Sequence, residues 1–592
     1  VPQFIWVYKT RRLLSHPIKR LLWLAMYLAA DFFATLALGN MFHVNIVEPK
    51  TGSSGGGKYH SKSLLAFWAP FLLLHLGRHA KITAFSPEEN ETWASQAITF
   101  LFRELMALGI CMQAMGKFPL LFSSMGVFVI GTLKFGERIW SLKVCTKHWL
   151  VSTLWIPEPG SDFFEIADSN LVVRDIIGNQ RVNIRETFSS MEDELGFAHD
   201  LFYSKSLVSH SRAGWGIRLI SLSLLGLAST LFVFTNKDGF WTLDVFLTFI
   251  LLSTTISLEL VGLLDAMLSN WTLMQVGFQP GETWRELEKI VLSLRAIIPT
   301  RNPMFKVGQY SLIRSCFNDL QPQSKFERVL DFFELKQDWD NFKNTKLIPC
   351  DADLVVRDAI LAQVLARLEE EWEGITTIHQ LHLSPVRASV AEQFGNGIRD
   401  QVSRLEFEEA LIICHIATEF CYLMSTLEEP VPPSPQLEYA KLISEYMMYL
   451  LVEHPEMLSS VCSRNFDSDS YRNTREAVKQ FIQGGRSREL LMQDGLDVYA
   501  QIAGIYMQDV QYWGTGRERS LLLDGFQIAR DLMVRAEAEV MGWNALFLVW
   551  VDLLSYAAYY SSGEYHAKQL SKGGELITYV WLFLLHCFMS PE

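Results

Sequence analysis

The residues from Trp215 to Met267 constrain this chain more than any other stretch. Trp215-Gly216-Ile217-Arg218 opens it, an uncharged run extends from Leu219 to Asn236, and a Lys237-Asp238-Gly239 break leads into a second apolar run from Phe240 to about Val261. Each run is about 18 to 22 residues, enough at 1.5 Å per residue to cross the ~30 Å hydrocarbon core of a bilayer. The pair reads as a membrane-crossing helical hairpin. The residues before it are mostly apolar, and those after it are mostly amphipathic. The expected fold is therefore all-α: a multi-pass transmembrane helical domain followed by a large cytoplasmic all-helical domain.

Composition narrows the function classes. A chain of 592 residues, half of them apolar and with positive mean hydropathy, is too long for one compact core. A net charge of -13 and the lack of a basic patch with interleaved aromatics exclude a nucleic-acid binder. The eight cysteines (111, 145, 316, 350, 414, 421, 462 and 587) form no CxxC pair. They signal neither a disulfide framework nor a zinc site, and free thiols in a reducing compartment are expected. No cofactor is expected, since GxGxxG and HExxH are both missing. Gly52 to Gly56 fits GxSxG and Gly52 to Lys58 begins a phosphate loop by letter, but neither sits between a strand and a helix, and Tyr59 stands where Ser or Thr would hold magnesium.

Four crossings are expected in residues 1–150. Lys9, Arg11, Arg12, Lys19 and Arg20 precede the first, Leu21 to Met41, and predict a cytoplasmic start. Leu64 to Gly77 is short, roughly 15 residues, and is broken at Pro70. Ala94 to Gly116 comes next, then Leu120 to Leu133, where Lys134, Glu137, Arg138, Lys143 and Lys147 mark a cytoplasmic exit. Residues 151–212 read as a cytoplasmic connector, 213–268 as the hairpin and 269–592 as the cytoplasmic helical domain. Six crossings leave both ends inside, and the sequons at Asn90 and Asn270 then face the cytoplasm and go unused.

Charged residues inside these apolar segments are the first functional candidates, because an ionisable group at a span centre costs about 2.5 to 3.5 kcal/mol on insertion scales. Asp31 and Arg103 fall at similar depth in their crossings. They suit an ion pair locking two helices, or a path for an ion or proton. Glu104 points away from its neighbour Arg103 and needs water, His75 or another span. Glu259, with Asp244 and Asp265, falls near a helix end, where a solvated carboxylate is expected.

In the second half, Asp351 to Trp372, Phe407 to Met424, Tyr439 to Glu453 and Leu521 to Met541 carry apolar residues at helical spacing. Pro430, Pro432, Pro433 and Pro435 break the pattern and read as an internal linker. Trp543 to Tyr560 and Leu576 to Met589 are apolar but flanked by mixed charge, which favours buried core helices over a hairpin dipping into the bilayer. His415 and Glu419 share a helix face at metal-ligand spacing, but a site needs ligands from elsewhere. Gly573-Gly574-Glu575 reads as ordinary capping with Ser571 upstream, and His566 and Glu575 are placed to face each other across that turn.

Several stretches also resemble a known family. Leu21-Leu22-Trp23-Leu24-Ala25-Met26-Tyr27-Leu28-Ala29-Ala30-Asp31, Leu64 to Gly77 with Ile82-Thr83-Ala84-Phe85-Ser86, and Lys134-Phe135-Gly136-Glu137-Arg138 look like a plant membrane family catalogued as domain of unknown function 4220. His566-Ala567-Lys568-Gln569-Leu570-Ser571-Lys572-Gly573-Gly574-Glu575-Leu576 and Val580-Trp581-Leu582, a motif over 566–582, resemble its C-terminal partner, domain of unknown function 594. His415 to Glu419 and Tyr446 to Leu451 also look like the family. The resemblance implies a multi-pass plant protein and attaches no activity to any residue. The family tends to carry another apolar segment before Arg11-Arg12, and such a span would put the N-terminus on the far side.

The expected function is a non-enzymatic scaffold or signalling component of the plasma membrane or an endomembrane. Its partners are the lipid bilayer and proteins bound by the cytoplasmic helices, and homo-oligomers are compatible with the reading. The alternatives are a channel or transporter using the buried charges, and a membrane-embedded enzyme.

Overall fold

The computed structural model describes residues 29, 32–43, 64, 67–74, 92–114, 118–145, 184–203, 206–237, 240–277, 282–297, 306–320, 343–349, 359–364, 366, 406–428, 434–462, 469–483, 521–536, 541–570 and 574–588. The chain divides into two compact units. The first comprises Val1–Ala167, Asp193–Pro303 and Leu570–Lys572, and the second comprises Asp168–Glu192, Met304–Gln569 and Gly573–Glu592.

In the first unit, α1 (Trp93–Ala114), α2 (Phe118–Val144), α3 (Ile184–Tyr203, which enters the unit at Asp193), α4 (Ser206–Ser209), α5 (Arg212–Phe234), α6 (Thr242–Met267), α7 (Asn270–Gly277) and α8 (Glu282–Ile297) come in order. Among the described residues, α1, α2, α5 and α6 are the helices long and apolar enough to cross a membrane, with shorter apolar helices at Phe32–Phe42 and Leu576–Leu585. α5 and α6 are the two arms of the expected hairpin. The rest of the first crossing except Ala29, and the second except Leu64 and 67–74, lie outside the described residues. α2 differs from expectation. The predicted stop at Leu133 is the middle of a 27-residue helix, because Lys134 and Glu137 find partners inside the bundle.

Small residues let these helices approach, as they must where lipid offers no hydrophobic drive for helix association. The Ser123 hydroxyl of α2 donates to the Ala228 carbonyl of α5 at 2.7 Å. Gly126 faces Ala228, and Ser124 meets Cys111 of α1 at 3.4 Å. Around these contacts, Leu120, Val127, Ile130, Leu225, Ala228, Phe232 and Leu252 close on Phe67 and Phe71. Trp68 donates to Thr248 at 2.9 Å. The register makes α2 antiparallel to α5 and parallel to α6. One end of the bundle therefore holds the start of α5 and the ends of α2 and α6, here termed the connector end. There Ser211 caps α5 by accepting from Gly214 at 3.1 Å. Gly214 must be glycine, since a Cβ would overlap the carbonyls of Val208 and Ser209.

The second unit is helical with one exception. β1 (Lys306–Tyr310) pairs antiparallel with β2 (Thr345–Pro349), Gly308 opposite Leu347. Neither five-residue strand alternates strongly enough to be read from sequence, and the ribbon is held by tertiary contact: Gln309 donates to the Leu442 carbonyl at 3.2 Å, and Gly308 lies against the ring of Tyr449. The helices are α9 (Leu312–Leu320), α10 (Phe407–Glu428), α11 (Pro435–Glu453), α12 (Asp469–Gln483), α13 (Leu521–Ala536), α14 (Met541–Tyr560), α15 (Gly563–Leu570) and α16 (Leu576–Phe588).

α10 packs on α11 and α13, and α14 on α11 and α16. Ala410 to Cys421 and Ile443 to Leu451 are buried without a break. Such helices are apolar all round because they have neighbours all round. α14 and α16 are core helices of this unit, with Leu546, Trp550, Leu554, Ile577, Val580 and Phe583 fully or almost fully buried and Trp550 donating to Thr418 at 2.9 Å. The proline-rich stretch between α10 and α11 joins two helices of one unit rather than linking domains. Its residues 429–433 lie outside the described residues, and Ser434 caps α11 by accepting from Leu437 at 3.4 Å. Of the predicted helix Asp351 to Trp372, residues 359–364 and 366 are described, and all are helical.

Candidate functional site

α2 and α6 bring together the charges that the sequence distributes along them. Lys134 Nζ lies 3.4 Å from Glu259 and 3.9 Å from Glu137 one turn along its own helix. All three side chains are buried, Glu259 at 5% exposure. That corrects the expectation of a solvated Glu259: it is eight residues from the end of α6, about 12 Å along the axis, and faces α2 rather than the end. Beside this cluster, Arg218 of α5 donates to the Gly262 carbonyl of α6 at 2.8 Å and to Ser209 of α4. Glu104 of α1 accepts from Thr132 of α2, so another span satisfies it. Arg103 is half-buried on α1 and has a partner of its own. Asp31 lies outside the described residues, so the expected Asp31 to Arg103 pair is not described.

In the sequence Lys134 and Glu137 are legible only as exit markers, and Arg218 carries no signal of its role. The usable signal is the i, i+3 spacing of Lys134 and Glu137, which puts both on one face of a helix that does not stop. Chemically the cluster is a cation between two carboxylates, an arrangement that fixes the rotation of α2 against α6.

A second polar network lies in the second unit at the C-terminal motif. Glu575, just before α16, accepts from Tyr446 at 3.2 Å and from Tyr449 at 3.3 Å, both on α11. The spacing of the two tyrosines puts them on one helix face. Tyr449 also meets His454 Nε2 at 2.9 Å, and His454 lies 3.3 Å from Glu456. Gln569 of α15 donates to Glu456 at 3.1 Å. The Tyr446 hydroxyl accepts from the Ile577 amide at 3.0 Å, tying the first turn of α16 to α11. Burial first, and then Glu575, push both phenols well above their usual range.

His566 does not meet Glu575. Its ring stacks on Trp581 with centroids 4.5 Å apart and its Nδ1 lies 3.1 Å from Thr578. Burial holds it neutral, pushed down to about 3. Gly574 sits at φ 83°, the left-handed region that favours glycine, and donates to the Gln569 carbonyl at 3.1 Å. Leu570 is buried, whereas Ser571 and Gly573 lie outside the described residues.

A third group surrounds His415 on α10. The Leu312 amide donates to its Nε2 at 3.2 Å, which leaves Nδ1 to donate to Ser444 at 2.8 Å. Both ring nitrogens are thus occupied by protein, and burial pushes the histidine down to about 4. Glu419 lies 3.6 Å away, raised by burial and eased by Ser311. Among the described residues no three His, Cys, Asp or Glu side chains are grouped to hold a metal ion. The thiols of Cys316, Cys414 and Cys421 are free, and burial pushes each up to about 12.

No curated protein and no solved structure matches the chain. Two families do. Domain of unknown function (DUF4220) matches residues 23–150 and 161–316, taking in the charge cluster, and Protein of unknown function, DUF594 matches 535–589, taking in Glu575 and His566. The chain therefore carries the domain of unknown function 4220 in its N-terminal half followed by the domain of unknown function 594 at its C-terminal end.

Proposed function

We propose that the protein is a multi-pass membrane protein without enzymatic activity, a scaffold or signalling component whose cytoplasmic helical unit binds partner proteins. The observation that supports it best is that these carboxylates inside the apolar helices find partners within the bundle: Glu259 and Glu137 lie against Lys134, and Glu104 accepts from Thr132. A conduction path would instead line them along a continuous polar surface. Two histidines of the helical unit support the same reading, because His415 and His566 are pushed far below the near-neutral range in which a general base works best.

The cytoplasmic orientation rests on cation asymmetry. Among the described residues, Arg138, Lys143 and Arg212 fall at the connector end, whereas Lys237 falls at the other. Plasma membrane and endomembrane fit equally, as do homo-oligomers.

The test is crosslinking in native membranes with the full chain beside one truncated after Pro303. Partners recovered by the full chain and lost by the truncated one are expected, and recovery of every partner by both would sink the reading. A second reading, ion or proton transport, draws on Glu137, whose two buried carboxylate oxygens accept no hydrogen bond and have Lys134 at 3.9 Å. Flux in proteoliposomes that Glu137→Gln abolishes while the fold is kept would favour it.

A further inference from the structure

Large apolar side chains left exposed are distributed very unevenly in this protein. Among residues whose side chains are described, every one except Tyr560 belongs to the first unit. Most are on α1, α2, α5 and α6, where a bilayer accounts for them. Five are on α8, which is neither apolar enough nor long enough to span: Trp284, Leu287, Ile290, Leu292 and Leu294.

All but Leu292 fall, with the buried Val291, on one arc of about 120° when the helix is drawn at 3.6 residues per turn. The other face carries Arg285, Glu286 and Lys289, with Glu286 and Lys289 paired at 2.7 Å. Over the whole helix three acidic residues (Glu282, Glu286, Glu288) balance three basic ones (Arg285, Lys289, Arg295). An amphipathic helix with an open apolar face and balanced charge suits a surface that is half oil and half water.

Its place in the chain supplies the oil. α6 ends at Met267, and α7 begins at once without leaving the connector end of the bundle. Trp271 donates to Asp200 at 3.2 Å and packs edge-on against Phe197, Gln275 donates to the His210 carbonyl at 3.1 Å, and Asn270 donates to Asp193 at 3.1 Å. α8 begins four residues after α7 and packs against it. α8 therefore starts at the connector end, the end at which α6 stops.

We infer that α8 is an interfacial helix, with Trp284, Leu287, Ile290 and Leu294 seated in the headgroup–acyl boundary of the bilayer at the connector end. The inference rests on the reading of the first unit as a membrane domain. Because the charges balance, seating is driven by apolar area and does not require anionic lipid.

The test uses the full-length protein in phosphatidylcholine vesicles. One preparation carries a phospholipid with a photoactivatable diazirine near the glycerol, and another carries it near the chain terminus. Labelled peptides are identified by mass spectrometry. The shallow probe is expected to label 282–297 on the apolar face, the deep probe to label α5 and α6 but not α8. Leu287→Glu with Ile290→Glu is expected to lower shallow labelling of α8 by about tenfold with α6 unchanged, and replacing part of the phosphatidylcholine by phosphatidylserine to change it less than about twofold. If α6 is labelled and α8 is untouched by either probe, or α8 instead crosslinks to protein, the inference is overturned while the membrane domain stands. If neither helix is labelled, both fall. Unchanged labelling in the double variant also overturns it, since the apolar face would then not be what meets lipid.

Discussion

Replacing Lys134 with alanine takes the cation from between Glu137 and Glu259, 3.9 and 3.4 Å away, and leaves two carboxylates buried. Breaking a buried pair by removing one partner costs about 3 to 5 kcal/mol, because the remaining charge has been stripped of water and gains nothing back. At about 2 to 4 °C per kcal/mol, the thermal midpoint of detergent-solubilised protein should fall by about 6 to 20 °C. Lys134→Met combined with Glu259→Leu should recover part of that loss, with a coupling energy of about 0.5 to 3 kcal/mol between the two sites. The assay is the thermal midpoint of the wild type, Lys134→Ala, Lys134→Met, Glu259→Leu and the double variant in the same detergent. A Lys134→Ala midpoint within about 1 °C of wild type would refute the reasoning, since it would mean that water already solvates the cluster. Normal stability with lost ion flux would refute it more sharply, by making the charges functional rather than structural.

Tyr446→Phe removes the donor to Glu575 and the acceptor of the Ile577 amide, and should destabilise the helical unit by about 1 to 3 kcal/mol in chemical unfolding. Gly308→Ala should cost about 1 to 3 kcal/mol through overlap with the Tyr449 ring, and Tyr449→Leu in the same chain should relieve part of it. Because His415 is pushed from 6.5 down to about 4 and His566 from 6.5 to about 3, these two sites bind more protons in the unfolded chain than in the folded one below pH 6.5. Their contribution is full above that pH and is lost as pH falls through 6.5 toward 4 and 3, so a stability titration of His566→Gln should show a shallower decline over this window. Maleimide should leave Cys316, Cys414 and Cys421 unmodified in the folded protein and react once it is unfolded, as buried thiols pushed up to about 12 present no thiolate at neutral pH.

What could be read along the chain was whatever depends on a run of neighbours. The Leu219 to Asn236 and Phe240 to Val261 runs became α5 and α6, because length and apolarity alone suit a helix to a bilayer. Mixed-charge flanks marked α14 as a core helix, whereas the C-terminal motif read only as capping and left the separate partners of Glu575 and His566 to the tertiary structure. Tertiary structure decided what depends on a partner far away in sequence. Lys134 looked like the end of a span until Glu259, on another helix, took its charge inside. Tyr446, Tyr449 and Glu575 form a network only because α11 and α16 pack, and the β1–β2 ribbon exists only because α11 supports it. Local pattern fixes which face of a helix is apolar, but the worth of a buried charge or hydroxyl is set by the one group opposite it, and that group is chosen by packing.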